Sequence, residues 1–243
     1  MIDIHSHIIF GVDDGAKDES STLELLRDSY NQGVRTIIAT PHRRKKMFET
    51  DINIIYQNFE ETRELAKKVA DDLVVHLGSE IYYQEGELKN IEEKKYPTLA
   101  NTDYILIEFN YGISYRELNQ VLRNILLLGL TPIVAHIERY DCLAEDLGRV
   151  EELVDIGCLM QVNTSSVLKP KLFGDKRKIY KKRARAYLDM NVVAFIASDM
   201  HDIERRPSYM KQAYDIVLEK YGKNRANRLF KTNAKKLLNN ETV

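Results

Sequence analysis

Seven short runs rich in Ile and Val punctuate the chain: MIDIH, VRTIIAT, LVVHLG, YILIEF, TPIVAH, LMQVN and VVAFIAS. Between them lie segments of helical periodicity. In KDESSTLELLRDSYNQG, Leu23, Leu26 and Tyr30 repeat on one helical face, with Asp18 placed to cap the start and Gly33 to end it. Similar patterns fill residues 51–72, 114–129, 145–157, 175–190, 208–221 and 225–239. Strand-like runs alternating with helices point to a parallel α/β fold. A closed barrel and an open doubly wound sheet both fit, but no strand is followed by a Gly-x-Gly-x-x-Gly or Gly-x-x-x-x-Gly-Lys loop, which disfavours the open sheet.

Where the polar residues fall favours the barrel further. His5 and His7 close the first run, and alternate residues of a strand project to one side. Asp13 and Asp14 follow. His42 comes after TIIATP, Glu80 after VVHLGS, Glu108 ends YILI, His136 ends PIVA, and Asp199 and His201 follow VVAFIAS. Each lies at the carboxyl end of its run, and a β/α barrel gathers those ends at one mouth. The expected architecture is a barrel of about seven strands. With no Pro/Gly-rich linker, no low-complexity stretch and no internal repeat, residues 1–243 are expected to form a single domain.

Composition narrows the function classes. The chain has 243 residues, 44% of them hydrophobic, enough for a sizeable core. Its net charge of -1 gives no global basicity to suit nucleic acid or anionic lipid. No apolar run approaches the ~20 residues that span a bilayer, and no secretory signal is visible. Cys142 and Cys158 read as two reduced thiols of a cytoplasmic protein.

Five of the six histidines sit at strand ends, and His76, inside its run, reads as structural. His5, His7, His42, His136 and His201, with Asp14, Glu80, Glu108 and Asp199, make nine nitrogen and oxygen donors on one rim. Crowding them there without cations would carry a heavy desolvation cost. Mixed imidazole and carboxylate donors suit Mn, Fe or Zn. Nine exceed the needs of one ion, so two or three ions bridged by a carboxylate are expected. Such a cluster can generate a bridging hydroxide near neutral pH and clamp an in-line phosphoryl displacement, which predicts phosphate-ester hydrolysis.

A dianionic substrate calls for positive charge beside the ions. Arg139 stands three residues beyond His136, and Arg206 five beyond His201, with Arg205 a rival that spacing does not separate from it. Pro207 suits the first turn of the next helix. The basic stretch RRKKMF after His42 lies on a mouth loop and could attract an acidic partner, whereas the run from Lys176 to Arg185 reads as a solvated face. A thiol phosphatase is excluded, because its Cys-x5-Arg loop is missing: Gly148 and Thr164 stand six residues after the two cysteines.

DIHSHIIFGVDDG, ATPHR, GSEIYY, LIEF, VAHIERY, QVNTSS and IASDMH together resemble the polymerase-and-histidinol-phosphatase (PHP) superfamily, over nearly the whole chain. More closely they resemble the manganese-dependent protein-tyrosine phosphatases of Gram-positive capsule and exopolysaccharide operons. The resemblance implies a distorted (β/α)7 barrel with up to three ions at its mouth, Mn2+ first and Fe, Zn or Mg as substitutes. It implies one ion on His5, His7, Glu80 and Asp199, a second on Glu80, Glu108 and His136, and a third on Asp14, His42 and His201. Arg139 and Arg206 match arginines that assist phosphate binding and catalysis, and Asp13 receives no role. The implied substrate is the phosphorylated tyrosine-rich tail of a cognate cytoplasmic tyrosine kinase, with neither nucleic acid nor membrane insertion. A small-molecule phosphatase of the histidinol phosphatase kind, a nuclease and a non-catalytic kinase-binding module remain as rival readings.

Overall fold

In the computed structural model, which describes residues 1–171 and 173–243, every one of the seven apolar runs carries a strand. They are β1 (Ile2–Ser6), β2 (Thr36–Ala39), β4 (Val74–Leu77), β6 (Tyr104–Glu108), β7 (Thr131–Val134), β8 (Leu159–Asn163) and β9 (Val193–Ala197). Two short strands, β3 (His42–Arg43) and β5 (Glu80–Tyr82), were not legible as separate runs. All pairings are parallel, in one sheet of order β1-β2-β4 and a second of order β3-β5-β6-β7-β8-β9.

The two sheets are consecutive parts of one wall. Thr40 and Pro41 separate β2 from β3, and Gly78 and Ser79 separate β4 from β5. Proline has no N–H for a ladder. The pairing nevertheless continues across the gap, because the Gly78 N–H donates to the Ala39 carbonyl (2.8 Å) and the Glu80 N–H to the Pro41 carbonyl (3.1 Å). The strands therefore follow seven lines, as expected. At the remaining seam no regular β1–β9 ladder forms among the described residues. There the Asp199 N–H donates to the His5 carbonyl and the His7 N–H to the Met200 carbonyl, both at 2.9 Å. Buried Asp3 replaces a ladder acceptor, taking the Ser198 N–H at 2.9 Å.

Helices connect the strands: α1 (Glu19–Asn31), α2 (Ile52–Val69), α3 (Glu87–Glu92), α4 (Tyr115–Leu127), α5 (Asp141–Ala144), α6 (Gly148–Asp155), α7 (Thr164–Val167), α8 (Lys178–Asp189), α9 (Met210–Tyr221), α10 (Lys223–Asn227) and α11 (Asn233–Leu238). Asp18 caps α1 as expected, its carboxylate accepting the Ser21 N–H at 2.8 Å while Ser21 Oγ accepts the Asp18 N–H at 3.0 Å. Gly33 follows that helix at φ 88°. Pro207 does not open α9. The helix starts at Met210 because Tyr209 takes a left-handed conformation (φ 52°) that separates it from the proline. Among the described residues no helix is long and apolar enough to cross a membrane.

Successive strand residues divide between two apolar clusters, as a period of two requires. Ile4, Ile38, Leu106, Ile133 and Phe195 belong to one, completed by Leu99 and by Ala234 and Leu237 of α11. Their neighbours Ile37, Ile107, Val134 and Ile196 join Leu25, Leu26, Leu118, Leu122 and Leu153 of the helices. Strands buried on both faces leave their carboxyl ends as the place where polar side chains gather.

Candidate metal centre

All nine expected donors meet at those carboxyl ends. His5 Nε2 lies 3.3 Å from Glu80 Oε2 and 3.5 Å from Asp199 Oδ1. His7 Nε2 lies 3.2 Å and 3.5 Å from the same two oxygens. On the other side of Glu80, Oε1 is 3.0 Å from His136 Nε2, which is 3.5 Å from Glu108 Oε1. His42 Nδ1 approaches Glu80 Oε2 at 3.0 Å. Asp14 Oδ1 is 3.5 Å from both His42 Nε2 and His201 Nε2. Ligand-competent atoms draw together as His5, His7, Glu80 and Asp199; as His42, Glu80 and Glu108; and as His7, Asp14, His42 and His201. The third set adds His7 to the ligands that the resemblance implies, and the second holds His42 where the resemblance places His136, which falls in none of the three groups and reaches Glu80 and Glu108 from the other side.

These spacings fit divalent ions. Two donors about 2.1 Å from one ion stand about 3.0 Å apart at a right angle and about 3.4 Å apart at a tetrahedral angle. Glu80 Oε2, His42 Nδ1 and His201 Nε2 are buried and lack a well-aligned hydrogen-bond partner among the described residues. Polar atoms in that condition are costly unless something else satisfies them. The group is a potential metal-binding cluster of imidazoles and carboxylates, with no thiolate in it.

Protonation follows from the same crowding. Burial pushes the Glu80 carboxyl up, but His5, His42 and His136 outweigh it and hold it well below the usual range. Burial likewise opposes ionisation of Asp199, and Arg206, Arg139 and His5 overcome it. Glu108 is pushed up to about 8 by burial and then by the Glu80 charge. Burial, aided by the Arg139 charge, pulls His136 down to about 4, and burial with the His7 charge does the same to His201. Both are therefore neutral imidazoles at pH 7, the form that binds metal.

The donors are held by residues to which spacing gave no role. The Asp13 side chain is fully buried beneath His7 and also accepts the His42 N–H at 2.9 Å. The loop after β1 brings it there by folding back on the strand end, with the Ala16 N–H on the His7 carbonyl at 3.0 Å. Gly15 permits the approach, because a Cβ at that position would lie 2.2 Å from the His7 carbonyl oxygen. Across the cluster, Gln161 Oε1 accepts the His136 N–H (2.8 Å) and faces His5 Nδ1 (3.3 Å). Its amide donates to Asn163 Oδ1 (2.8 Å), whose own amide donates to Asp199 Oδ2 (2.6 Å). Two polar residues alternating in the otherwise apolar LMQVN were the available signal. His136 (φ 33°) and Asp199 (φ 52°) hold left-handed backbone conformations, strain of about 1–3 kcal/mol each of the kind that collects at functional sites.

Two arginines flank the cluster. Arg139 Nη2 donates to Asp199 Oδ2 at 2.7 Å and its Nη1 to the Tyr111 hydroxyl at 3.0 Å. Arg206 Nη2 donates to Asp199 Oδ1 at 2.8 Å. Arg205 is exposed and meets Asp202 through its backbone N–H alone, which separates the two neighbours. Of the basic mouth loop, Arg44 sits 4.0 Å over the Tyr82 ring, Phe48 stacks on His42 with centroids 5.1 Å apart, and Lys45 and Lys46 face solvent. His76, on β4, borders a cavity with Phe59 and Arg63, apart from the donors. Cys142 and Cys158 are buried free thiols, and burial pushes Cys158 up to about 12, far from a reactive thiolate.

Comparison with known proteins agrees with this geometry. Residues 1–239 match the family described as capsular polysaccharide synthesis, CpsB/CapC. Tyrosine-protein phosphatase CpsB of Streptococcus pneumoniae is 52% identical over 243 residues, covering 100% of both chains. Tyrosine-protein phosphatase YwqE of Bacillus subtilis (strain 168) is 30% identical, covering 100% of this chain and 93% of the relative. A crystal structure reported for YwqE from B. subtilis and CpsB from S. pneumoniae, described as unique metal-dependent tyrosine phosphatases, superposes with a TM-score of 0.89 at 31% identity, covering 100% of this chain and 96% of the other. By sequence over its full length, and by a shared α/β fold, this chain belongs to the CpsB/CapC family of capsular polysaccharide synthesis.

Proposed function

We propose that this chain is a metal-dependent protein-tyrosine phosphatase, a single catalytic domain over residues 1–243 that works in the cytoplasm. Its substrate is the phosphorylated tyrosine-rich tail of a cognate bacterial tyrosine kinase controlling capsular or exopolysaccharide synthesis. The observation that carries the reading is the sharing of donors. Glu80 belongs to two groups and His7 and His42 to two each, so the three groups form one cluster rather than three separate sites. His5, His7, Asp14, His42, Glu80, Glu108, His136, Asp199 and His201 would hold up to three ions, manganese first.

Divalent ions held there would supply Lewis acidity toward the phosphoryl oxygens and bring the ionisation of water close to neutral pH. The chain's own residues do the positioning. Arg139 and Arg206 reach Asp199 from two guanidinium groups, each with further N–H donors left for a phosphate dianion. Tyr111 steadies Arg139, and burial raises the Tyr111 phenol so that it stays protonated at neutral pH. A departing phenol of pKa near 10 needs less proton assistance than an alkyl alcohol would. A cysteinyl-phosphate intermediate has no nucleophile here, since both thiols are buried and neither belongs to the donor groups. Support for the capsular role comes from the family and from relatives whose names specify tyrosine phosphatase activity.

The test is metal analysis of the purified protein with turnover of a phosphotyrosyl peptide before and after chelation. The expected result is loss of turnover on chelation and its return with manganese. Turnover surviving complete removal of metal overturns the mechanism, and faster turnover of histidinol phosphate than of the peptide overturns the substrate class.

A further inference from the structure

Next to the two arginines the surface opens into a recess of about 280 Å3 lined by Tyr111, Arg139, Ser165, Ser166, Arg177, Tyr180 and Arg206. A crevice too narrow for a water molecule adjoins it, lined by Asn163, Ser198 and Asp199, with Arg139, Ser165, Arg177 and Arg206 lining both. Three arginines thus line both the recess and the narrow space behind it, and Asp199 is the lone acid among the described lining residues. Arg139 and Arg206 are already engaged with Asp199. Arg177 is partly buried, and among the described residues its guanidinium makes no ion pair with any carboxylate. It comes from the basic run at Lys176–Arg185, whose sequence suggested only a solvated face.

On the phosphatase reading above, the scissile phosphate lies between the donor cluster and Arg139 with Arg206. The outer recess then remains unfilled, and its volume amounts to several waters at about 30 Å3 each. We propose that this recess is a second anion subsite in which Arg177, with the Ser165 and Tyr180 hydroxyl groups, holds another acidic group of the same peptide. A carboxylate or phosphate beside the scissile phosphotyrosine has the chemistry to fit, because a guanidinium forks onto either. Arg177 is on this account a specificity residue. It selects tyrosines flanked by acids, and its energy appears in binding the peptide rather than in the bond that breaks.

The experiment compares wild type, Arg177→Gln and Ser165→Ala, loaded with manganese, on phosphotyrosyl peptides that differ only in their flanks. One peptide has neutral flanks, one has glutamates within three residues on either side, and one has a second phosphotyrosine there. Wild type is expected to prefer an acid-flanked peptide by about tenfold in kcat/KM, chiefly through KM. Arg177→Gln is expected to reduce that preference to near unity, and Ser165→Ala to reduce it partly. Whether glutamate or the second phosphate gives the larger preference identifies the source of the anion. The proposal is overturned if wild type treats all three alike, or if Arg177→Gln slows all three by one factor, which would assign Arg177 to the scissile phosphate. Failure of wild type to hydrolyse any of the peptides is a different result, and it defeats the phosphatase reading itself.

Discussion

His7 Nδ1 lies 2.7 Å from Asp13 Oδ2. An ionised carboxylate only accepts, so the imidazole donates there and its Nε2 is turned toward Glu80 and Asp199. Burial opposes the charge on Asp13, but His7 and His42 outweigh it and keep the carboxyl below its ordinary value. Asp13→Ala is therefore expected to lower metal affinity by about 10–100-fold. Titration of metal-free protein with manganese, followed by calorimetry, checks this, and unchanged affinity would show that His7 is oriented without Asp13.

Gly15 sets the same contact from the backbone. Adding a methyl group places it 2.2 Å from the His7 carbonyl oxygen and 2.5 Å from His7 Cβ, neither of which can yield without moving the strand end. Gly15→Ala is expected to cost about 1–3 kcal/mol in denaturant unfolding and to reduce bound metal together with it. Loss of stability with full metal occupancy would separate the loop from the site.

Loading of metal is expected to release protons at pH 7. Burial pulls His5 and His7 down, yet Glu80 and Asp199 around His5, and Asp13 with Asp199 and Glu80 around His7, raise both above the ordinary imidazole value. In the metal-free protein these rings keep their protons to higher pH than a free imidazole, and coordination must displace them, so affinity rises with pH. The sign for metal-free stability is opposite. A raised folded pKa stabilises fully below the unfolded value, about 6.5, and that contribution disappears as pH climbs through the folded one. Calorimetry in two buffers of different ionisation enthalpy counts the protons, and a count of zero contradicts the assignment.

Neighbouring arginines are expected to behave differently. Arg206→Ala removes a donor next to Asp199 and should lower kcat/KM toward a phosphotyrosyl peptide by about 10²-fold. Arg205→Ala removes an exposed side chain and should leave kcat/KM within about twofold. Equal losses in steady-state kinetics would mean that the loop's fold, rather than the Arg206 guanidinium, is what catalysis requires.

Much of this arrangement could be read from the chain, for identifiable reasons. A buried parallel strand is a dense apolar run, and a donor at its carboxyl end interrupts that run visibly, which is why Glu80 and Asp199 stood out. The strands β3 and β5 span only two and three residues, too short for any period to register. The helices α3, α5 and α7 span four to six residues and escaped for the same reason. Asp13 was visible as a residue but not as a partner, because the fold-back that joins it to His7 follows no regular spacing. Gln161 and Asn163 act through amides, and an amide in a strand carries no charge to announce it. Arg177 was hidden by the basic residues beside it, since neither charge nor spacing tells which member of such a run is buried, as Lys181 is, and which lines a recess.

The seam between β1 and β9 dictates an order of events during synthesis. His5 leaves the ribosome well before Asp199, whose N–H its carbonyl accepts. A nascent chain paused before the ninth strand has no place to assemble the His5, His7, Glu80 and Asp199 group. On the metal-site reading, a cation would be taken up at that group only late in biogenesis, and products truncated before Asp199 would lack the complete group.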